Sequence, residues 1–285
     1  MEHDRRQGIG SSEAAAILGW SKFQSPLEVY QYKTADEPQG FHDAVPNSPM
    51  YWGQQLEGVI LGEYEKMTGY AVGSRQERFK IGHGLFWATV DGLAFDPASK
   101  ETIAAVNAKC ARNDTDWGDP EAGEVPLYYT AQAIVEMACA GTPAWHCPVL
   151  FAGQRLEIYK VRRDLDAERD ILAALTEWWE RHVVARVPPE PVTAKDLTIA
   201  YPENITGKVV EAKIDEIEWI NKIRKCNADI AVLTAEKEGY EIALKKYMKD
   251  AEALAHEGNI LATWKSFTRK GYMVQEKQIR QFRIK

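Results

Sequence analysis

Residues 86–110 read FWATVDGLAFDPASKETIAAVNAKC, and the fold turns on how this stretch is parsed. Two apolar runs, 86–95 and 102–110, are separated by a short polar segment at 96–100. Aromatic and β-branched residues in both runs, with Asp-Pro and Ser between them, predict an antiparallel hairpin. Such a pairing can bring Asp91 of the first strand and Lys109 of the second together on one face. A third run at 70–79 precedes them and reads as a neighbouring strand.

Helical periodicity frames these strands. Trp52, Leu56, Val59, Ile60, Tyr64 and Met67 recur at helical spacing over residues 52–68, and Gly69 closes that helix. Upstream, Ser11, Ser12 and Glu13 make a capping-like start before residues 14–18. Ser25-Pro26 opens a second helix. The segment 37–49 reads as a loop. Downstream, 126–140 reads as a buried helix, 148–152 and 155–161 as a strand pair, and 166–186 as a long helix. The run Val187-Pro188-Pro189-Glu190-Pro191 stops that helix, because proline cannot donate to its ladder. The domain boundary is expected there, giving 1–190 and 191–285. Beyond it, 208–256 reads as helical up to Gly258. Residues 260–267 and 272–284 read as a terminal strand pair around a basic turn at 268–271. The apolar residues of 208–256 keep no strict heptad, so no coiled coil is expected.

Composition excludes several classes. The chain has 285 residues, 45% of them hydrophobic and 27% charged, which is ordinary for a soluble globular protein. No run approaches 18 apolar residues, which argues against a membrane span. The N-terminus lacks the apolar core of a secretory signal. Cys110, Cys139, Cys147 and Cys226 form no paired motif, so free thiols in a reducing cytoplasm are expected.

The net charge of −7 points away from nucleic acid until it is divided along the chain. Of the 35 Lys/Arg and 42 Asp/Glu, 16 and 13 fall in residues 201–285, leaving 19 and 29 in residues 1–200. The front is acidic and the tail basic. Lys265, Arg269, Lys270, Lys277, Arg280, Arg283 and Lys285 stand against Glu276 alone after residue 258. They suit duplex phosphates, or equally a strand edge guarded by charge.

Four segments, in order, carry a resemblance. They are RRQGIGSSEAAA (5–16), WGQQLE (52–57), ATVDGL (88–93) and VPLYYTAQ (125–132). They resemble the Arg…Gly-Ser-(Asp/Glu), Trp-Gly-x-x-x-Glu, (Ser/Thr)-x-Asp-Gly-Leu and Pro-x-x-Tyr-x-x-Gln motifs of the YqaJ and lambda-exonuclease group of phage-type nucleases. That group lies within the PD-(D/E)xK superfamily. The resemblance runs from about Arg5 to about Arg186. Singly, each motif has a plainer reading: Asp91-Gly92 as a turn, Lys109 and Glu57 as solvated charges, Gln132 as a core amide, Ser11 and Ser12 as helix caps.

The resemblance implies an α/β restriction-endonuclease-like core, a mixed central sheet flanked by helices, with a helical and β-hairpin C-terminal extension. It implies Mg²⁺-dependent 5′→3′ degradation of linear double-stranded DNA, with Mn²⁺ substituting, to leave 3′ overhangs for phage-type recombination. Asp91 would ligate the metal, with Glu57 supporting it and Asn107 as a candidate ligand. Lys109 would hold the attacking water or scissile phosphate. Gln132 would order the site, and Arg5, Ser12 and Thr89 would form a pocket for a 5′-phosphate. A homotrimer, a single-strand annealing protein as partner, and a phage or prophage origin in the bacterial cytoplasm are implied likewise. The chemistry suits the residues: Mg²⁺ takes carboxylate oxygens and retained waters, and lysine supplies a point charge for phosphate.

One position departs from the pattern. The family's Glu-x-Lys or Asp-x-Lys motif reads Asn107-Ala108-Lys109. Asparagine offers one neutral carbonyl oxygen and cannot neutralise a divalent cation. Three readings stay open: a neutral ligand in an active enzyme, a DNA-end-binding relative with a dead site, or a substitution that traps substrate. A structure-specific endonuclease is a further alternative.

Overall fold

The computed structural model describes residues 5–35, 46–266 and 268. The chain divides into two units, Met1–Ala200 and Tyr201–Lys285.

The first unit opens with β1 (Ile9–Gly10) and α1 (Ala14–Ile17), linked by a 3-10 turn over Ser11–Glu13. Helix α2 (Pro26–Thr34) starts on a capping box, in which the Ser25 hydroxyl accepts from the Glu28 N–H and the Glu28 carboxylate accepts from the Ser25 N–H. Helix α3 (Pro49–Thr68) begins one turn before the expected residue 52, because Ser48 caps it and Pro49 suits its first position. Gly69 ends it in the left-handed conformation, at φ 74°.

The three expected strands are each broken. The first splits into β2 (Ala71–Gly73) and β3 (Arg78–Ile81), and the second into β4 (Phe86–Thr89) and β5 (Gly92–Phe95). β2 pairs with β5 and β3 with β4, so residues 71–95 form one long bent hairpin whose halves belong to different sheets. Its bend is a bulge. Between the paired positions Gly73↔Leu93 and the Val90 N–H bond to Glu77 O, one strand holds three residues and the other two. The extra residue puts Ser74 and Gln76 at φ 47° and 55°. Bulges of this kind re-aim side chains. Gly92 sits opposite, where an added Cβ would lie 2.3 Å from Val72 Cγ1.

The third strand breaks into β6 (Thr102–Val106) and β7 (Lys109–Ala111). Both run parallel to β8 (Ala144–Phe151) in one register, Val106↔His146 and Lys109↔Val149. Asn107 and Ala108 therefore form a kink within a continuous path, held by the Asn107 N–H to His146 O bond of 3.0 Å. On its other edge β8 pairs antiparallel with β9 (Arg155–Arg162). The larger sheet thus runs β2-β5-β6/β7-β8-β9, and the smaller one β1-β4-β3. This is the expected mixed α/β core, a curled sheet flanked by helices.

Helix α4 (Leu127–Ala140), between β7 and β8, joins the two cores. Ala131, Val135 and Cys139 pack with Ile9, Phe86, Ala88 and Leu175. Ala133, Ile134 and Met137 pack with Val90, Leu93 and Trp145. Helix α5 (Leu165–Trp178) runs on into a π-helical turn over Trp179–Val184. The division of the chain falls after Ala200, not at the proline run. Helix α6 (Ala194–Ala200) belongs to the first unit because its buried Asp196 accepts from Ser25 Oγ at 2.5 Å.

In the second unit, α7 (Ile214–Met248) leaves Ile214, Trp219, Ile230, Leu233 and Tyr240 exposed. The expected helix to residue 256 is corrected here. It ends at Met248, and β10 (Ala253–His256) pairs back on β11 (Asn259–Thr263). Glu257 and Gly258, at φ 49° and 82°, form the two-residue turn of a hairpin rather than a helix stop. The C-terminal hairpin is present, but its partner strand lies before it. The expected strand 272–284, and the basic residues Arg269, Lys270, Lys277, Arg280, Arg283 and Lys285, lie outside the described residues. Among the described residues no helix is long and apolar enough to cross a membrane. All four cysteines are free.

Candidate active site

The strand breaks converge on one open cleft of about 570 Å³, lined by Arg5, Glu57, Gln76, Arg78, Thr89, Asp91, Asn107, Ala108, Lys109 and Gln132. Six elements supply it: the N-terminal turn, α3, the bulge with β3, the β4–β5 bend, the β6–β7 kink and α4. Seven of the eight residues singled out in the sequence lie together here. Ser12 does not; it is exposed on its turn.

Asp91 stands at the bend because the hairpin changes sheets there. Its N–H still bonds Val106 O at 3.1 Å. Its Oδ2 accepts from the Ala108 N–H at 2.8 Å, satisfying a donor that the kink would otherwise strand. Its Oδ1 accepts from Gln76 Nε2 at 3.3 Å, and the same nitrogen donates to Glu57 Oε1 at 2.9 Å. Gln76 thus clamps the two cleft carboxylates. Burial raises the Asp91 pKa and Glu57 adds to it, while Lys109 and the Ala108 and Gln76 hydrogen bonds oppose the rise.

Lys109 follows the kink at the start of β7, with its ammonium 5.0 Å from the centre of the Tyr129 ring. Burial works against its charge, but Tyr129, Asp91, Cys147 and Glu136 together outweigh it, and its pKa is raised. The lysine is a cation at neutral pH.

Behind the cleft lies a buried acid that the sequence reading passed over. Glu136, one turn after Gln132 on α4, is fully buried. Its Oε1 accepts from Ser11 Oγ, Asn107 Nδ2 and Gln132 Nε2 at 3.2, 3.1 and 2.7 Å. Its Oε2 accepts from Trp145 Nε1 at 2.6 Å. Burial pushes its pKa up to about 7, against the pull of Lys109, Gln132 and Trp145. The signal was a lone acid within the apolar stretch AQAIVEMACA. Ser11, beside the expected Ser12, is the serine that reaches this network.

Two arginines line the same cleft. Arg5 and Arg78 lie 5.4 and 5.0 Å from the centre of the Trp87 ring, and Arg78 Nε donates to Thr89 Oγ1 at 3.3 Å. Gly10 makes room for that indole, since an added Cβ would lie 2.7 Å from Trp87 Cζ2. Arg5 is tied down through its backbone. Lys33 Nζ, fully buried, donates to Arg5 O, Gly8 O and Glu13 Oε2 at 2.6, 2.8 and 2.6 Å. Gln76 and Arg78 were hidden in the sequence because 70–79 reads as one unbroken strand.

The donor set fits a hard divalent cation only in part by charge. Among the described residues, no group of three or more His, Cys, Asp and Glu side chains is placed to hold a metal. Asp91 and Glu57 supply two carboxylates. The third oxygen available is Asn107 Oδ1, buried and without a hydrogen-bond partner among the described residues. An orphaned buried carbonyl on a residue lining the same cleft as two carboxylates suits an oxygen-seeking ion such as Mg²⁺.

Comparison with known proteins agrees with this architecture. The YqaJ protein of Bacillus subtilis (strain 168) is 26% identical over 272 residues, covering 92% of this chain and 81% of that protein. The crystal structure of LHK-Exo, an alkaline exonuclease from Laribacter hongkongensis, superposes with a TM-score of 0.50 at 20% identity. It covers 62% of this chain and 88% of that one, a likeness of fold. Residues 2–143 match the YqaJ-like viral recombinase domain, and together with the YqaJ relative this supports a YqaJ/lambda-exonuclease-like nuclease.

Proposed function

We propose that this nuclease is a divalent-metal-dependent 5′→3′ exonuclease on linear double-stranded DNA, leaving 3′ single strands for phage-type recombination. The observation that carries the reading is the cleft itself. Arg5, Glu57, Thr89, Asp91, Asn107, Lys109 and Gln132, scattered over 128 residues, meet at one opening.

Asp91 and Glu57 would hold Mg²⁺, or Mn²⁺ in its place, with Asn107 Oδ1 as a neutral ligand. The ion would offset charge on the phosphate and acidify a bound water. Gln76 keeps the two carboxylates facing the same point before any cation arrives. Lys109 supplies a fixed positive charge for the scissile phosphate or the attacking water. Gln132 orders the site through Glu136. Arg5 and Thr89 would receive a terminal 5′-phosphate, and Arg78, bonded to Thr89, adds a second guanidinium to that pocket. A DNA end would thereby be seated with its first phosphodiester near Asp91, which gives the polarity. A single-strand annealing protein as partner and a homotrimeric ring belong to the same proposal.

Digestion of linear, nicked and covalently closed duplexes in Mg²⁺ and then Mn²⁺ tests it. Mononucleotides released from linear DNA alone are expected. Cutting of closed circles would replace this reading with an endonuclease. The second reading, a DNA-end-binding relative, is favoured by Asn107 in place of the motif acid. End binding without nucleotide release in either metal would establish it.

A further inference from the structure

Asn107 looks like a lost acid when the motif is read alone, yet its surroundings are built for an amide. The side chain is buried, and its Nδ2 donates to both oxygens of Glu136, at 3.1 and 3.3 Å. Ser11, Gln132 and Trp145 fill the rest of that carboxylate's capacity. Four side chains thus donate to Glu136, the arrangement of a hydrogen-bond acceptor. The nitrogen of Asn107 faces Glu136, and the oxygen faces away from it. That oxygen has no hydrogen-bond partner among the described residues. A carboxylate at position 107 would instead set two anionic groups about 3 Å apart, an arrangement in which both cannot stay charged.

We propose that Glu136 is the positioning residue for Asn107, fixing its amide with Oδ1 free as a ligand and selecting an amide over an acid at that position. The negative charge the motif normally carries at 107 is then displaced one layer outward, onto α4. Glu136 touches neither cation nor DNA in this scheme. It acts through the hydrogen bond, which draws electron density toward Oδ1 and makes a neutral ligand a better one. The ligand role of Asn107 rests on the metal-dependent reading above; the pairing of 107 with 136 does not.

The test is a double-mutant cycle with Asn107→Asp and Glu136→Gln, read in two ways. The first is urea unfolding without metal. Asn107→Asp alone should shift the folding equilibrium toward unfolded by about tenfold to a hundredfold, and Glu136→Gln in the same chain should recover most of it. Glu136→Gln alone keeps the packing and is the variant expected to stay folded. Equal effects of Asn107→Asp in both backgrounds would overturn the pairing. The second reading is Mn²⁺ affinity by calorimetry. Glu136→Gln alone should weaken it by about tenfold or more, as second-layer partners of metal ligands do. The double variant, in which an amide at 136 holds the carboxylate introduced at 107, should bind at least as well as wild type. Unchanged affinity in Glu136→Gln would remove the positioning role. A wild-type chain that binds no Mn²⁺ would sink the metal-dependent function, while the metal-free cycle would still decide the pairing.

Discussion

Lys33→Met is the perturbation whose size follows most directly from the structure. Lys33 brings a charge to a site where its side chain has no exposure and that of Glu13 has 3%. Among the described residues its ammonium donates to Arg5 O, Gly8 O and Glu13 Oε2. Methionine fills similar volume but donates nothing. The largest loss falls on the Glu13 carboxylate, which keeps, among the described residues, the Gly10 N–H at 2.7 Å. Breaking a buried pair from one side costs about 3–5 kcal/mol. The Gly8 carbonyl, also buried, adds about 1 kcal/mol, while half-buried Arg5 can turn its carbonyl to water. The sum, about 4–6 kcal/mol, approaches the whole stability of an ordinary domain. Glu13→Gln added to Lys33→Met should return about 2 kcal/mol, because it removes the uncompensated charge while keeping an acceptor for Gly10. Urea unfolding at pH 7 reads this, with tryptophan emission as the signal; Trp87, packed against Gly10 and near Arg5, reports on the segment itself. A loss below about 1 kcal/mol in the single variant, or a double variant no more stable than the single, would refute the reasoning.

Four further outcomes are expected. His146 is buried against the Tyr64 hydroxyl, 2.6 Å from Nδ1, with the Tyr70 ring nearby, and burial, aided by Lys160, pushes its pKa down to about 4. The unfolded histidine binds its proton near pH 6.5, so the stability held by neutral His146 is full above that pH. It falls by on the order of 3 kcal/mol toward pH 4. His146→Gln keeps a polar partner for Tyr64 and should flatten that part of the slope; parallel urea profiles from pH 4.5 to 7.5 would contradict it. Gln76→Ala should leave stability within about 0.5 kcal/mol, since the side chain is exposed. It should slow digestion of linear duplex about tenfold, and an unchanged rate would remove the clamp from the mechanism. Arg5→Ala should reduce cutting of 5′-phosphorylated ends selectively, and an equal loss on 5′-hydroxyl ends would count against the phosphate pocket. Gly92→Ala should cost about 1–3 kcal/mol in thermal unfolding through its clash with Val72. Val72→Ala in the same chain should relieve part of that, and no relief would place the strain elsewhere.

The order of helices and strands in the first 190 residues was readable from periodicity and turn residues, and the cleft from four short motifs. Where strands end inside an apolar run was not. Strand propensity measures fit to a pleated surface, and it is blind to the extra residue at 74–76 that bends the hairpin. That one shift hid Gln76 and Arg78 inside an apparent strand. Residues 253–256, Ala-Leu-Ala-His, favour a helix in isolation, and pairing with β11 overrides that preference. Glu136 was missed for a different reason. A buried acid is informative only once its partners are known, and Ser11, Asn107 and Trp145 lie 125, 29 and 9 residues away. The missing acid at 107 was legible at once; its counterweight was not.

The bond from the Ala108 N–H to Asp91 bears on how an inactive control should be chosen. Asp91→Ala, the obvious way to silence such an enzyme, also strips the kink between β6 and β7 of the acceptor for that N–H, so lost digestion and a slackened sheet would arrive together in one measurement. Asp91→Asn keeps an oxygen for Ala108. Lys109→Met leaves the backbone bonds of the kink intact and removes the ammonium, with its pull on the Asp91 and Glu136 carboxylates. An inactive control made at 109 spares the kink that one made at 91 disturbs, and a comparison of the two separates chemistry from scaffold.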